Sequence, residues 1–357
     1  MPNSQEPLKV ALLGYGLAGS AFHAPLIATT PGLSLAAVVT SNKERQAKAH
    51  AEFPDAELLN SADEVFSNAK RFDIVVIATP NIHHAPLAQK SLHSRLATVI
   101  DKPIATTSCD AEELVAISEE TNTLLTVFQN RRWDNDFLTL RKLIDDGTLQ
   151  SVYRFESRFE RWRPAVNKSA WRETSSVEEA GGLLFDLGSH LIDQALVLFG
   201  EPIHIYAETE LRRPGATADD DSFVAIKFAN GVTAHLWMNA ISAIQGPRFR
   251  VLAANGSYEK FGLDPQEADL RSGKRPPSSD WGREPASMHG TLKYLKGNET
   301  LEKTVESEPG AYTEFYRLLE SAVRNGTAPP VNPRDALKTM RVIETAIECG
   351  QEALVTV

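Results

Sequence analysis

Cysteine is scarce in this chain: two residues among 357, Cys109 and Cys349, far apart and in no metal or redox spacing. That scarcity excludes a disulfide scaffold and a thiolate metal centre, and a reducing compartment is expected. Positive charge is short as well. Lys and Arg number 37 against 47 Asp and Glu, a net charge of −10, so the basic face of a nucleic-acid binder is missing. No run reaches the roughly 18 consecutive apolar residues of a bilayer span. Met1–Pro7 is polar and carries no apolar signal core, which leads us to expect a cytoplasmic protein without membrane attachment. Internal repeats and low-complexity tracts are missing too. What remains is 42% hydrophobic and 24% charged, the composition of an ordinary globular protein, and its length suggests two domains.

From Leu8 to about Phe128, short apolar runs alternate with amphipathic segments. Leu8–Leu13, Leu35–Val39, Ile74–Ala78, Val99–Ile100 and Leu124–Phe128 read as strands, and Lys43–Glu52, Ser61–Asn68, Pro86–His93 and Asp110–Thr121 as helices. The alternation predicts an α/β fold with a doubly wound parallel sheet over residues 1–127. Past Phe128 the pattern changes. A helix at Asp136–Ile144 precedes strand-like runs at Val152–Arg161, Ile203–Glu210, Phe223–Phe228, Val232–Met238 and Phe249–Ala253. Ala229-Asn230-Gly231 is a hairpin signal between two of them. Residues 128–357 are therefore expected to form a second, α+β domain with an antiparallel or mixed sheet. Gly182–Phe199 reads as a helix packed on that sheet, and Arg271–Ser287 as a surface loop. Asn332–Gln351 is a closing helix with Pro333 and Asp335 as start signals; it belongs to this domain or packs back on the first.

Three stretches carry chemistry. Leu8–Leu13 runs into Gly14-Tyr15-Gly16-Leu17-Ala18-Gly19, a dinucleotide fingerprint. Gly14 permits the turn, Gly16 the approach of a pyrophosphate and Gly19 close helix packing, while a helix from Leu17 offers its N–H groups to phosphates. The second strand ends Thr40-Ser41-Asn42-Lys43-Glu44-Arg45, without the acid that holds the ribose of NAD. Thr40, Ser41, Lys43 and Arg45 suit the extra phosphate of NADP, so NADP is expected over NAD; an ordinary solvated helix start is the alternative. The fourth strand leads to Thr79, Pro80 and Asn81 beside the cofactor, with His84 either a cofactor contact or a satisfied loop histidine. No metal site is expected. The run Ala97-Thr98-Val99-Ile100-Asp101-Lys102-Pro103 delivers an amine to the carboxyl edge of the sheet, where ligands bind, equipped to polarise an alcohol or carbonyl oxygen. Asp186 and His190, four apart, share a helical face, and the carboxylate can orient the imidazole as it takes a proton. Gly188 between them is expected to leave room for a ligand. Asp193 continues that face as a pairing or capping residue. Arg161, Trp162, Arg163, Trp171 and Arg172 suit sugar hydroxyls or cofactor phosphates, or else line a loop.

The glycine loop, Thr79-Pro80-Asn81 with His84, Asp101-Lys102-Pro103, and Gly181-Gly182 leading to Asp186-Leu187-Gly188-Ser189-His190 together resemble the Gfo/Idh/MocA oxidoreductases over nearly the whole chain. The resemblance implies a Rossmann domain plus a C-terminal domain with a large open, mainly antiparallel sheet, NAD(P) as cofactor, and sugars or cyclic polyols as substrates. It implies Lys102, Asp186 and His190 as catalytic groups, cofactor contacts from the fingerprint through Trp171 and Arg172, and substrate contacts from Asn130, Arg163, Asp186 and His190. Asp101 departs from the glutamate more usual there. Phe128-Gln129-Asn130-Arg131-Arg132-Trp133-Asp134 and Gly262-Leu263-Asp264-Pro265-Gln266-Glu267 resemble the branch containing NADP-dependent scyllo-inositol dehydrogenases. The expected protein is an NADP-dependent dehydrogenase of CH–OH groups. A dinucleotide sensor of the same fold is the alternative, one that would be expected to have lost Lys102, Asp186 or His190. Bulky residues on both faces of Val232–Met238 lead us to expect a homodimer or homotetramer.

Overall fold

Strands buried on both faces read as unbroken apolar runs, and the runs of the N-terminal half are of this kind. The structure, a computed structural model, describes residues 6–167 and 171–352, with the backbone alone for 171, 172, 351 and 352. A six-stranded parallel sheet contains β1 (Leu8–Leu13), β2 (Leu33–Val39), β3 (Glu57–Leu59), β4 (Ile74–Ile77), β5 (Ala97–Asp101) and β6 (Leu125–Phe128), in the order β3-β2-β1-β4-β5-β6. Every residue of β4, β5 and β6 is buried. The sequence pattern had no sign of β3, whose three residues are too few to show a period. Helices Lys43–Glu52, His84–His93 and Ser108–Thr121 lie close to their expected bounds.

The chain falls into two compact units and does not divide at one point. The first is Met1–Asn130 with Gln266–Trp281 and Ala311–Leu337; the second is Arg131–Pro265 with Gly282–Gly310 and Lys338–Val357. The return to the first unit is driven by a helix that the sequence pattern missed, Tyr312–Asn325. Its Phe315 and Tyr316 are fully buried, with ring centroids 4.9 and 5.9 Å from Phe128. Among the described residues, the expected loop at 271–287 holds no helix or strand between the helix Gln266–Arg271, which ends where it begins, and a single 3-10 turn at Ala286–Met288.

The second unit holds an eight-stranded sheet. Its strands are β7 (Val152–Glu160), β8 (Pro202–Glu210), β9 (Asp221–Phe228), β10 (Thr233–Asn239), β11 (Phe249–Ala253), β12 (Gly256–Lys260), β13 (Gly290–Lys296) and β14 (Glu299–Val305). Their order is β14-β13-β12-β11-β7-β10-β9-β8. Only β7 and β10 pair in parallel. The expected hairpin joins β9 to β10, with Gly231 at φ +91°. Alternation along β10 is strict: Ala234, Leu236 and Met238 are fully buried, while Thr233, His235 and Trp237 are half-buried on the other face.

The expected single helix at Gly182–Phe199 is two pieces, a π-helical turn at Leu184–Gly188 running into an α-helix at Ser189–Phe199. Its apolar composition would suffice for a membrane span, but most of it is buried in the unit. Gly188 serves this packing. A Cβ there would lie 2.9 Å from both Leu184 Cδ1 and Met238 Sδ, so the missing side chain lets the helix close on β10 and leaves no gap for a ligand.

Candidate active site

The parallel register sets the ligand edge of the first unit's sheet. Leu13 pairs with Val39 and Ile77, and Ile77 with Ile100. The segments that follow, at Gly14, Thr40, Ala78-Thr79 and Asp101-Lys102, therefore leave the sheet along one edge. The strand order reverses between β1 and β4, the switch point where doubly wound folds bind ligands.

The three glycines divide the labour. Gly14 has φ +98°, and a Cβ on it would lie 2.4 Å from the Ala78 carbonyl oxygen; one on Gly19 would lie 2.1 Å from the Gly14 oxygen. Both are demanded by the turn itself. Gly16 has nothing nearer than Arg45 Nη1 at 4.0 Å, so the space above it is open and bordered by a guanidinium. Tyr15 is buried and donates its hydroxyl to Glu52 Oε2 at 2.6 Å; burial first, then Glu52, raise the phenol well above its ordinary range. Leu17 is exposed and Ala18 half-buried. The helix expected from Leu17 opens as a π turn, Ala18–His23, before its α segment Ala24–Thr29. Pro25 has no N–H to give the carbonyl four residues back, which favours the wider turn.

At the end of β2, Thr40 is half-buried and Ser41, Lys43, Glu44 and Arg45 are exposed. Asn42 caps the helix Lys43–Glu52, accepting the Arg45 N–H at 3.0 Å. Thr79 Oγ1, beyond β4, is buried without a hydrogen-bond partner among the described residues, and Asn81 is buried nearby. His84 faces two carbonyls, Pro103 O at 2.7 Å and Thr79 O at 3.0 Å. It ties the end of β4 to the turn after Lys102. Asp101 and Lys102 are both buried, and Asp101 Oδ1 accepts the Lys102 backbone N–H at 2.9 Å. The open cradle at Gly16, its bordering guanidinium and the unpaired Thr79 hydroxyl fit a dinucleotide.

In the second unit, half-buried Asp186 lies on the π turn and buried His190 on the following α turn. This helix is held by polar contacts that the sequence did not disclose. Asp219 caps its start: Oδ2 accepts the Leu184 N–H at 2.8 Å and the Ser222 hydroxyl at 2.6 Å. Gly182 admits this cap, since a Cβ there would lie 2.0 Å from Asp219 Oδ1. Asp193 pairs with Arg132 through two bonds, 2.8 and 2.6 Å. Gln194 accepts from fully buried Arg248 at 2.7 Å, and Arg248 also donates to Ser157 at 2.6 Å and lies 3.2 Å from Asp136. Arg163 is exposed, its guanidinium 4.0 Å from Glu173. Trp162 is exposed, and Arg161 stacks over Phe159 at 4.8 Å. Asn130, which ends the first segment of the first unit, is buried. The side chains of Trp171 and Arg172 lie outside the described residues. Among the described residues no cluster of His, Cys, Asp and Glu could hold a metal ion.

A reversing parallel sheet with an open glycine turn and a lysine at its ligand edge defines a dinucleotide-binding oxidoreductase fold. Residues 8–129 match the oxidoreductase family's NAD-binding Rossmann fold, and residues 141–354 its C-terminal alpha/beta domain. The chain belongs to the Gfo/Idh/MocA oxidoreductases. It is 38% identical over 347 residues to the uncharacterised oxidoreductase YdgJ of Escherichia coli, covering 97% of each chain. It is 34% identical to IolW of Bacillus subtilis, a scyllo-inositol 2-dehydrogenase (NADP(+)), covering 97% of this chain and 95% of IolW. Among solved structures, the oxidoreductase YvaA of Bacillus subtilis superposes with a TM-score of 0.92 at 34% identity over 97% of both chains.

The cap on the helix of Asp186 and His190 predicts a pH dependence. Burial, outweighing its hydrogen bonds, raises the Asp219 carboxyl from 3.8 to about 6. The folded state thus holds the proton more tightly than the unfolded chain. Its stabilisation is full below about pH 4 and is lost as pH rises through about 6, up to about 3 kcal/mol. Urea unfolding of wild type and Asp219→Asn at pH 4 and pH 7 is expected to show wild type losing about 1–3 kcal/mol relative to the variant as pH rises. A difference independent of pH would contradict this assignment.

Proposed function

We propose that the protein is an NADP-dependent dehydrogenase acting on the CH–OH group of a polyol or sugar, with scyllo-inositol and its ketone the first compounds to try. The observation that carries this reading is the in-register strand edge at which the open Gly16 turn, Thr79 and Lys102 emerge together. The similarity to IolW, a scyllo-inositol 2-dehydrogenase (NADP(+)), supports the substrate class. The first unit takes the role of the dinucleotide domain and the second that of the substrate domain.

Gly14, Gly16 and Gly19 with the intervening Tyr15, Leu17 and Ala18 hold the pyrophosphate; Thr79, Pro80, Asn81, Asp101 and Lys102 line the nicotinamide side, supported by His84. Thr40, Ser41, Lys43 and Arg45 take the ribose phosphate; the carboxylate among them, Glu44, lies in the first turn of the helix Lys43–Glu52 and not at the end of β2. Trp171 and Arg172 are further candidates for the cofactor, and Asn130 and Arg163 for the substrate. The bound nicotinamide supplies or accepts the hydride. Lys102, Asp186 and His190 are the catalytic groups. His190 takes the hydroxyl proton, Asp186 holds the imidazolium that results, and the Lys102 amine stabilises the developing alkoxide. We place the protein in the cytoplasm.

A homodimer or homotetramer is also proposed, through the second sheet's outer face. There Tyr206, Phe223, His235 and Trp237 form a half-exposed ring cluster with centroids 5.1–6.4 Å apart, and Arg158 lies 4.0 Å over Trp237. Such an apolar strip is the kind that assembly covers. Light scattering at micromolar concentration is expected to give a multiple of the 39.2 kDa chain mass; a monomer refutes the assembly.

The catalytic reading is tested by following NADPH formation against a panel of inositols and aldoses. Turnover with at least one polyol or sugar is expected; tight NADP binding without turnover on any of them would instead favour a sensor. Fluorescence titration is expected to show NADP binding at least about tenfold tighter than NAD, about 1.4 kcal/mol. Thr40→Asp is expected to reverse much of that preference. Equal affinities in wild type would refute the assignment of Lys43 and Arg45.

A further inference from the structure

His23 ends the π turn Ala18–His23 and is fully buried in the first unit. Three elements meet its ring. Tyr316, from the helix Tyr312–Asn325, brings its hydroxyl to 2.6 Å from Nδ1. Asp101, ending β5, brings Oδ1 to 3.8 Å from Nε2. Phe128, ending β6, lies 4.4 Å away between ring centroids. The titratable groups facing His23 are thus Tyr316 and Asp101, with Lys102 next along the chain from Asp101.

The position of each hydrogen follows from these contacts. Burial first, and the Asp101 charge second, hold the Tyr316 phenol well above its ordinary range, so it keeps its proton. Among the described residues its hydroxyl has one partner, His23 Nδ1. If Nδ1 donated instead, the phenol hydrogen would be stranded in the interior and the Nε2 lone pair would face a carboxylate; both are costly. Nδ1 is therefore the acceptor, and the ring's N–H is at Nε2, pointing to Asp101. Nε2 makes no hydrogen bond to a described residue, and 3.8 Å leaves it just short of one to Asp101. The same Asp101 oxygen accepts the backbone N–H of Lys102.

We propose that His23 is a positioning residue for Lys102: its Nε2–H, oriented by Tyr316, faces the Asp101 carboxylate and so sets how firmly that carboxylate keeps a proton on the Lys102 amine. A donor facing a carboxylate spreads its charge; without the donor, the carboxylate binds protons and neighbouring cations more tightly. The proposal rests on the reading of Lys102 as a catalytic group.

Two measurements on the full chain test it, one of which needs no activity. In protein labelled with 13C at aspartate carboxyls, the Asp101 signal is identified by its loss in Asp101→Asn and titrated. His23→Leu is expected to raise its midpoint by about 0.5 pH unit or more, a threefold change. His23→Gln, which keeps an N–H near the Nε2 position, is expected to restore most of it, and Tyr316→Phe to give a smaller rise. If His23→Leu does not fold, Tyr316→Phe and His23→Gln carry the comparison. An unmoved Asp101 midpoint in folded His23→Leu, or in Tyr316→Phe where that variant stands in for it, overturns the proposal. In the second arm, the acidic limb of the pH profile for alcohol oxidation is expected to move to higher pH in His23→Leu and back in His23→Gln, with KM and NADP affinity within about twofold of wild type. A limb that stays fixed while Asp101 moves overturns the link to Lys102. Wild-type protein that binds NADP yet oxidises nothing in the panel overturns the reading of Lys102 and with it the catalytic half of the proposal. The carboxyl titration then decides alone whether His23 sets the state of Asp101.

Discussion

Parallel strands hydrogen-bonded in register all point their carboxyl ends the same way, and the chemistry of the first unit depends on that constraint. Gly14, Thr40, Thr79 and Lys102 are separated by 26, 39 and 23 residues of chain, but the pairing of Leu13, Val39, Ile77 and Ile100 brings their exits to one edge. The last four residues of β1 and all of β4 and β5 are buried, so a slip in this register would move apolar side chains toward solvent or carry polar ones inside. His84 adds a second tie, since its ring sits between a carbonyl of the segment after β4 and one of the turn after β5. Lys102 is held by strand register from one side and by that ring from the other.

The second unit solves a different problem. The helix that carries Asp186 and His190 is fixed by polar side chains reaching it from elsewhere in the unit: Asp219 at its start, Arg132 on Asp193 and Arg248 on Gln194. Arg248 is fully buried, and removing either it or Asp136 would leave an uncompensated charge inside, a loss of about 3–5 kcal/mol. Buried networks of this kind favour one arrangement over its neighbours rather than adding raw stability. The π turns in the two units take in the end of the fingerprint, Ala18-Gly19, and Asp186, in keeping with the concentration of such turns at functional sites.

Much of this was legible in the residues. Apolar runs ending in Gly14, Thr79 and Lys102 gave the parallel sheet, because a strand buried on both faces cannot hide its composition. Asn230-Gly231 marked the hairpin of β9 and β10 for an equally local reason, the need for a positive φ. Other features depended on contacts between distant segments and had no local signature. The three short residues of β3 and the polar strands β13 and β14, exposed along much of their length, lacked a readable period. The return of Tyr312–Asn325 to the first unit rests on Phe315 and Tyr316 meeting Phe128, almost 190 residues earlier. Gly188 shows how a motif can be seen and its cause misread: the glycine answers to Met238 on β10, which no reading of the helix alone could supply. His23 has no local signature, because a histidine in an apolar helix has many uninformative explanations, and only Asp101 and Tyr316 together distinguish it.

The central claim is that Lys102 and His190 act in the transition state and do not merely hold the fold. Single-turnover hydride transfer by Lys102→Ala and His190→Ala, measured beside NADP affinity and thermal stability, tests it most directly. Each variant is expected to lose on the order of 10²–10⁴-fold in rate while folding normally and binding NADP within about threefold of wild type. A variant that is folded, cofactor-bound and still transfers hydride at most of the wild-type rate would contradict the claim for that residue.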